Sequence, residues 1–306
     1  MITEPGHLNW GGEGLWQALE PLLPGLSVEI VARTDSTNTQ LLERARLSGG
    51  RRDQPISQPM PLEPIGPSSH TAEEPTPFGR RAGDTQPCLL VAEHQTRGRG
   101  RHGRLWQGSA GASLTFSLAL ALDPPDWSGL SLAVGVALAE ALEPMPPGGP
   151  RIGIKWPNDL WLLDAPGEGR KLGGVLIETV AVGNRRMAVV GVGLNVLPQP
   201  VRDLVSGYAC LQELQPAIDA PQALHLVAEP LVRALLRFER TGFPGFIDGY
   251  ARRDLLRGHA VTTTSPSAPA GIAEGVAQDG ALRVRVGDEL HLLASAEVSA
   301  RPSTAR

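Results

Sequence analysis

The alternation of apolar and polar positions divides the chain into three textures. Apolar residues recur at helical spacing from Leu15 to Leu23, and Pro24 ends the run, predicting a short amphipathic helix. Ser27 to Ala32 alternates like a strand, and Thr34-Asp35-Ser36-Thr37-Asn38 leads into a helix carrying Leu41, Leu42 and Ala45. Cys88 to Ala92 and Ser113 to Leu122 read as buried strands, and Leu130 to Leu142 as an apolar, buried helix. Strands follow at Ile152 to Leu163, Leu172 to Val182 and Met187 to Val196, the last two joined by a Gly183-Asn184 turn. Further helices are predicted over Gln222 to Phe238 and Gly245 to Leu255.

The second texture, residues 48–87, is rich in Pro, Gly and Ser and has no periodicity. It lacks the apolar surface to offset its ordering entropy and reads as a disordered insertion. The third begins after Arg257. His259 to Thr264, Gly271 to Ala277, Ala281 to Val286 and Glu289 to Leu293 are short strands, and Asp279-Gly280 and Gly287-Asp288 are hairpin chemistry. These strands suggest a small β-barrel appended to an α+β domain, dividing the chain into 1–256 and 257–306.

Length and charge narrow the classes. The chain has 306 residues, and ~100–200 residues per domain agrees with two domains. The balance of 28 basic against 32 acidic residues creates no global field for nucleic acid. Two distant cysteines, Cys88 and Cys210, make neither a disulfide framework nor a metal knuckle. No histidine pair has the helical spacing of a zinc site. No basic segment leads into an apolar run at the N-terminus, and Leu130–Leu142 is too short to span a membrane, so a cytoplasmic protein is expected. One bias stands out: 26 of the 28 basic residues are arginine, leaving only Lys155 and Lys171 as lysines. Those two are suspects for jobs that need a compact ammonium instead of a planar fork.

Five segments carry candidate chemistry. Gln95 to Trp106 interleaves four arginines and His102 with glycines between two apolar strands. Glycines let backbone N–H groups approach an anion, and arginine forks supply bidentate phosphate contacts. The bland alternative is a solvated basic loop. Lys155-Trp156-Pro157-Asn158-Asp159 delivers a cation, a ring and an amide–carboxylate pair at a bend. Its carboxylate suits Mg²⁺ beside phosphates, although an Asn-Asp turn explains it as well. Arg170-Lys171-Leu172-Gly173-Gly174 opens the next strand, where a lysine is ordinarily edge protection, and Glu178 follows as either a support or an outward-facing residue. Gly191-Val192-Gly193-Leu194-Asn195 lacks the third glycine of a dinucleotide fingerprint, and Ser36-Thr37-Asn38 looks first like a helix cap.

Taken in order, Asp35–Asn38, Gly98–Trp106, Lys155–Leu160, Arg170–Gly174 and Gly191–Val196 resemble the biotin–protein ligases. The resemblance implies a central mixed β-sheet flanked by helices, related to class II aminoacyl-tRNA synthetases. It also implies a small C-terminal Src-homology-3-like β-barrel. The implied activity is ATP-dependent conversion of biotin to biotinyl-5′-AMP, followed by transfer to one lysine of the biotin carboxyl carrier protein of acetyl-CoA carboxylase. Position by position, Ser36, Thr37, Asn38, Gln95, Arg99, Gly100, Arg101 and Lys171 would bind biotin. Arg101, Trp106, Lys155, Asn158 and Asn195 would serve the nucleotide, Asp159 would hold Mg²⁺, and Lys171, Arg101 and Lys155 would be catalytic. About 27 residues precede the first strand, too few for a groove-reading module. The implied form is therefore monofunctional, without DNA or membrane partners, and a homodimer is left open. A lipoate or octanoyl ligase is the neighbouring alternative, disfavoured by the Gly-Arg-Gly-Arg loop; a non-catalytic binding module is the more distant one.

Overall fold

The computed structural model describes residues 8–49, 85–144, 148–199, 206–294 and 300–302. Most of the stretch read as an insertion lies outside these residues. Its ends do not: the second helix runs to Gly49, and Pro87 accepts a backbone hydrogen bond from Ser27.

A seven-stranded sheet is built from β1 (Ser27–Thr34), β2 (Cys88–Gln95), β3 (Ser113–Ala121), β4 (Ile152–Lys155), β5 (Asp159–Ala165), β6 (Glu168–Val182) and β7 (Arg185–Asn195). Their order is β1-β2-β3-β7-β6-β5-β4. Only the β1–β2 pairing is parallel, so the sheet is mixed, as expected. The Ile152–Leu163 run, read as one strand, is instead the β4–β5 hairpin, with Lys155 opposite Asp159. Pro157 cannot donate to a ladder, so the chain bends at the position where it stands.

Both faces of the sheet are covered, and β2 shows how an unbroken apolar run serves both. Leu89 and Val91 pack into the main cluster with α1 (Gly12–Leu19), α3 (Leu130–Leu142) and α4 (Ala220–Thr241). Cys88 and Leu90 point the other way, against Leu41, Leu42 and Ala45 of α2 (Thr37–Gly49). Asp219 caps α4 by accepting from the Gln222 backbone, while the Gln222 side chain returns to Asp219. The helix expected over 245–255 is shorter. A 3₁₀ turn at Phe243–Phe246 precedes α5 (Ile247–Ala251), and Arg253 turns inward, fully buried, onto Glu143 and the Ile152 carbonyl.

The expected C-terminal barrel is not closed. β8 (Ala260–Thr263), β9 (Ala270–Val276), β10 (Leu282–Val286), β11 (Glu289–Leu293) and β12 (Ala300–Pro302) form an open antiparallel sheet ordered β11-β10-β9-β8-β12. Its inward residues, Val261, Ala273, Leu282, Val284 and Leu293, join the same hydrophobic cluster as the large sheet. The face that a barrel would enclose is thus already buried. Trp156, fully buried, donates Nε1–H to the Gly280 carbonyl and pins the small sheet to the β4–β5 bend. No helix among the described residues is long and apolar enough to cross a membrane.

Beneath α2, burial and the nearby Glu29 carboxylate push the Cys88 thiol up to about 12. Ionisation of the unfolded thiol begins near 9, so this group's contribution to stability is complete below that pH and drains between about 9 and 12. Iodoacetamide at pH 8 is expected to leave Cys88 unmodified in the native protein and to label it in urea. Native labelling at the denatured rate would contradict this burial.

Candidate functional site

Where α2 begins, the sheet face it covers opens into a cleft of about 960 Å³. Small side chains make the opening: Gly174 of β6 and Gly191 and Gly193 of β7 lie on its floor. A Cβ built on Gly193 would fall 2.5 Å from Cε2 of Trp106, and one on Gly191 would overlap the Asn38 amide. The partial fingerprint therefore makes room for two side chains, and no nucleotide turn is formed there.

Ser36, Thr37 and Asn38 are all buried at the head of α2. The cap reading holds, with the Thr39 N–H donating to Ser36 Oγ at 3.4 Å. Yet all three residues also line the cleft. The Thr37 N–H donates to Gln95 Oε1 at 2.7 Å, Thr37 Oγ1 lies 2.6 Å from Ser117 Oγ, and Ser117 donates to Asn38 Oδ1 at 2.6 Å. Asn38 Nδ2 in turn donates to the Leu176 carbonyl and to Glu178.

The arginine–glycine segment is a folded hairpin. Gly100 N–H donates to the Arg104 carbonyl, Trp106 N–H to that of Gly98, and Arg99 bridges Leu105. Its tip needs a left-handed backbone at two successive residues, His102 (φ 55°) and Gly103 (φ 71°). Histidine is among the side chains that tolerate this region. Arg99 forks onto Glu178, at 3.0 and 3.3 Å. Arg101 is half-buried; desolvation lowers its pKa while the Asp159 charge opposes that shift, so it stays a cation at any working pH.

Facing the loop is the β4–β5–β6 corner. Lys171 is opposite Trp161 on an interior strand, so edge protection does not explain it. Its Nζ lies 2.7 Å from Asp159 Oδ1, and Lys155 Nζ lies 4.0 Å from Asp159 Oδ2 and 5.1 Å from the Trp161 ring centroid. The two lysines of the chain thus share one carboxylate. Asp159, expected to hold Mg²⁺, is paired with both of these ammonium groups. Asn158 lines the cleft while its amide donates to the Val175 carbonyl.

The cleft therefore gathers Ser36, Thr37, Asn38, Gln95, Arg99, Gly100, Arg101, Trp106, Lys155, Asn158, Asp159 and Lys171. One expected residue is missing. Asn195 is buried outside the lining and donates to the carbonyls of Lys171 and Ala209. Its amide thus ties β6 to the segment that carries Ala209. Two participants went unread: Ser117 in the floor network and Trp161 beneath Lys155. A hydroxyl at every second position of β3 (Ser113, Thr115 and Ser117), within a strand otherwise apolar, was the available signal.

A sequence model of the Biotin/lipoate A/B protein ligase family matches residues 82–195. The Biotin--[acetyl-CoA-carboxylase] ligase of Paracoccus denitrificans is 30% identical over 220 residues, covering 68% of this chain and 88% of that protein. The Bifunctional ligase/repressor BirA of Salmonella typhimurium is 36% identical over 179 residues, covering 57% of this chain. The match spans only about half, 52%, of that relative's length. Among solved structures, a biotin protein ligase from Aquifex aeolicus in complex with biotin and ATP superposes with a TM-score of 0.64 at 24% identity, covering 90% of this chain and 99% of that one.

Proposed function

This chain belongs to the biotin–protein ligases of the biotin/lipoate A/B protein ligase family, and from that premise we propose that it activates biotin with ATP and biotinylates a carrier protein. The observation that carries the reading is a shared cleft: Lys171, the Ser36–Asn38 segment and the Arg99–Arg101 hairpin line one cavity. At about 960 Å³, it lies at the roomy end of the ~300–1,000 Å³ usual for small-molecule sites, as two substrates require.

In the proposed reaction the biotin carboxylate attacks the α-phosphorus of ATP, forming biotinyl-5′-AMP and releasing pyrophosphate. Two anions must meet, so cations have to offset their repulsion and the charge that develops between them. Lys171 takes that position, with Arg101 and Lys155 beside it. Ser36, Thr37, Asn38 and Gln95 hold the biotin head group at the other end, and Trp106 and Asn158 serve the nucleotide. Holding both substrates in line makes the encounter effectively intramolecular. The arginine–glycine hairpin keeps water from the mixed anhydride until a carrier lysine attacks its carbonyl carbon and AMP leaves. Asp159 orients the two ammonium groups, and with its charge so engaged it does not suit a resident metal site. Mg²⁺ enters with the nucleotide as MgATP. Residues 1–256 would carry this machinery, with Thr262 and Ala300 of the small sheet reaching the cleft wall.

Purified protein given labelled biotin, MgATP and the apo carrier domain of acetyl-CoA carboxylase is expected to label the carrier. Excess lipoate should not compete. No labelled carrier, or competition by lipoate at equal concentration, would reject the assignment.

A further inference from the structure

Glu178 touches no expected substrate atom, yet it joins two parts of the cleft that are far apart in sequence. It lies on β6 on the same face as Leu176 and Gly174, opposite Val189 of β7. Arg99 reaches it from 79 residues away with a two-pronged contact, and Asn38 from 140 residues away through Nδ2 at 3.1 Å. An exposed ion pair is ordinarily worth little. This one is bidentate, and the hydrogen bond from buried Asn38 already holds the carboxylate in place.

A carboxylate only accepts hydrogen bonds, and that fixes a direction. With the Leu176 carbonyl and Glu178 both facing one end of the Asn38 amide, that end must be NH₂ and the other the oxygen. The oxygen then takes the Ser117 proton, so the 2.6 Å contact between Ser117 and Thr37 requires Thr37 to donate. The single Thr37 hydroxyl proton is thereby committed, and Gln95 Oε1 is served by the Thr37 backbone N–H at 2.7 Å. The carboxylate and the Leu176 carbonyl together set the polarity of a chain running from the hairpin to the floor of the pocket.

We propose that Glu178 is a positioning residue that latches the Arg97–Arg104 hairpin and, through the same carboxylate acting with the Leu176 carbonyl, holds the donor–acceptor polarity of the Asn38–Ser117–Thr37 wall. Hairpin closure and pocket organisation are then one event. The effect on biotin rests on the function proposed above, whereas the latch itself does not.

The test is Glu178→Gln in the full chain, which keeps the shape but weakens the fork and lets the amide present either end to Asn38. Hydrogen exchange of the ligand-free protein is expected to speed up about tenfold across residues 97–106, with β3 and β7 unchanged. In the biotin-dependent pyrophosphate-release assay, KM for biotin should rise about tenfold while kcat at saturation falls less than threefold. Arg99→Ala should reproduce the exchange effect, and adding Glu178→Gln to it should raise KM further with no more exchange. Unchanged exchange in the hairpin would overturn the latch, and faster exchange throughout the sheet would reduce Glu178 to a structural residue. Unchanged KM would overturn its role in pocket polarity. Wild-type protein that makes no biotinyl adenylate would instead count against the proposed function, and the exchange measurement would still decide the latch.

Discussion

Lys171→Arg is expected to cut biotinyl-adenylate formation by about 10²–10³-fold, the scale seen when one group stabilising developing charge is lost, while the protein stays folded. The strand around Lys171 does not depend on its side chain. The Lys171 carbonyl accepts from Asn195 Nδ2 and the Ala209 N–H, and its own N–H meets the carbonyls of Ser206 and Gly207. Only the tip changes. The ammonium is a compact charge 2.7 Å from Asp159, with three donors free to turn between a carboxylate and a phosphate. A guanidinium at this position is planar and wider, and its strongest option is to fork onto Asp159. That would engage both oxygens of the carboxylate that also faces Lys155 and would lead the charge away from the reacting oxygens. Circular dichroism and the melting temperature check the fold, and biotin-dependent pyrophosphate release checks the chemistry. Turnover within threefold of wild type in a folded variant would remove Lys171 from the reaction.

Lys171 stands out in the sequence because composition isolates two lysines among 26 arginines, and the structure brings both to one carboxylate. The fold was legible for related reasons. A strand such as β2 is apolar on both faces because helices cover both, and its length and turn signals mark it without reference to distant partners. Where residues read alike in two settings, reading failed. Ile152 to Leu163 reads as one strand bent at Pro157, and only the pairing of Lys155 with Asp159 shows that the bend is a hairpin turn. The short C-terminal strands suggested a barrel, but closure depends on what their inner face meets. Here it meets the main core. At the site, it is the resemblance alone that assigns Asn195 to the nucleotide. Its partners within the protein, the carbonyls of Lys171 and Ala209, come from other segments. Glu178 could be read only as a strand carboxylate, since neither Arg99 nor Asn38 is near it in sequence.

Gly191→Ala carries the second large effect, and it separates a floor made for side chains from one made for a nucleotide. Gly191 has ordinary strand backbone opposite Ser117 of β3 and Leu176 of β6, so its glycine is not required by a turn. What it lacks is room: an added methyl would occupy the place of the Asn38 amide oxygen, itself hydrogen-bonded to Ser117. Backbone held on both sides by ladders cannot retreat, so Asn38 must. Its bonds to Ser117 and Glu178 would break together. Overpacking of this kind costs about 1–3 kcal/mol of stability. A displaced Asn38 also forfeits the one or two hydrogen bonds it offers the biotin head group, at ~0.5–1.5 kcal/mol each, which implies biotin binding weaker by roughly twofold to a hundredfold. ATP should bind the variant nearly as it does the wild type, because Lys155, Trp161 and Asn158 lie beyond the displaced amide. Isothermal titration of biotin and ATP separately would show the asymmetry. Equal weakening of both ligands would mean that the floor moves as a whole, and unchanged biotin affinity would mean that Asn38 does not shape the head-group end.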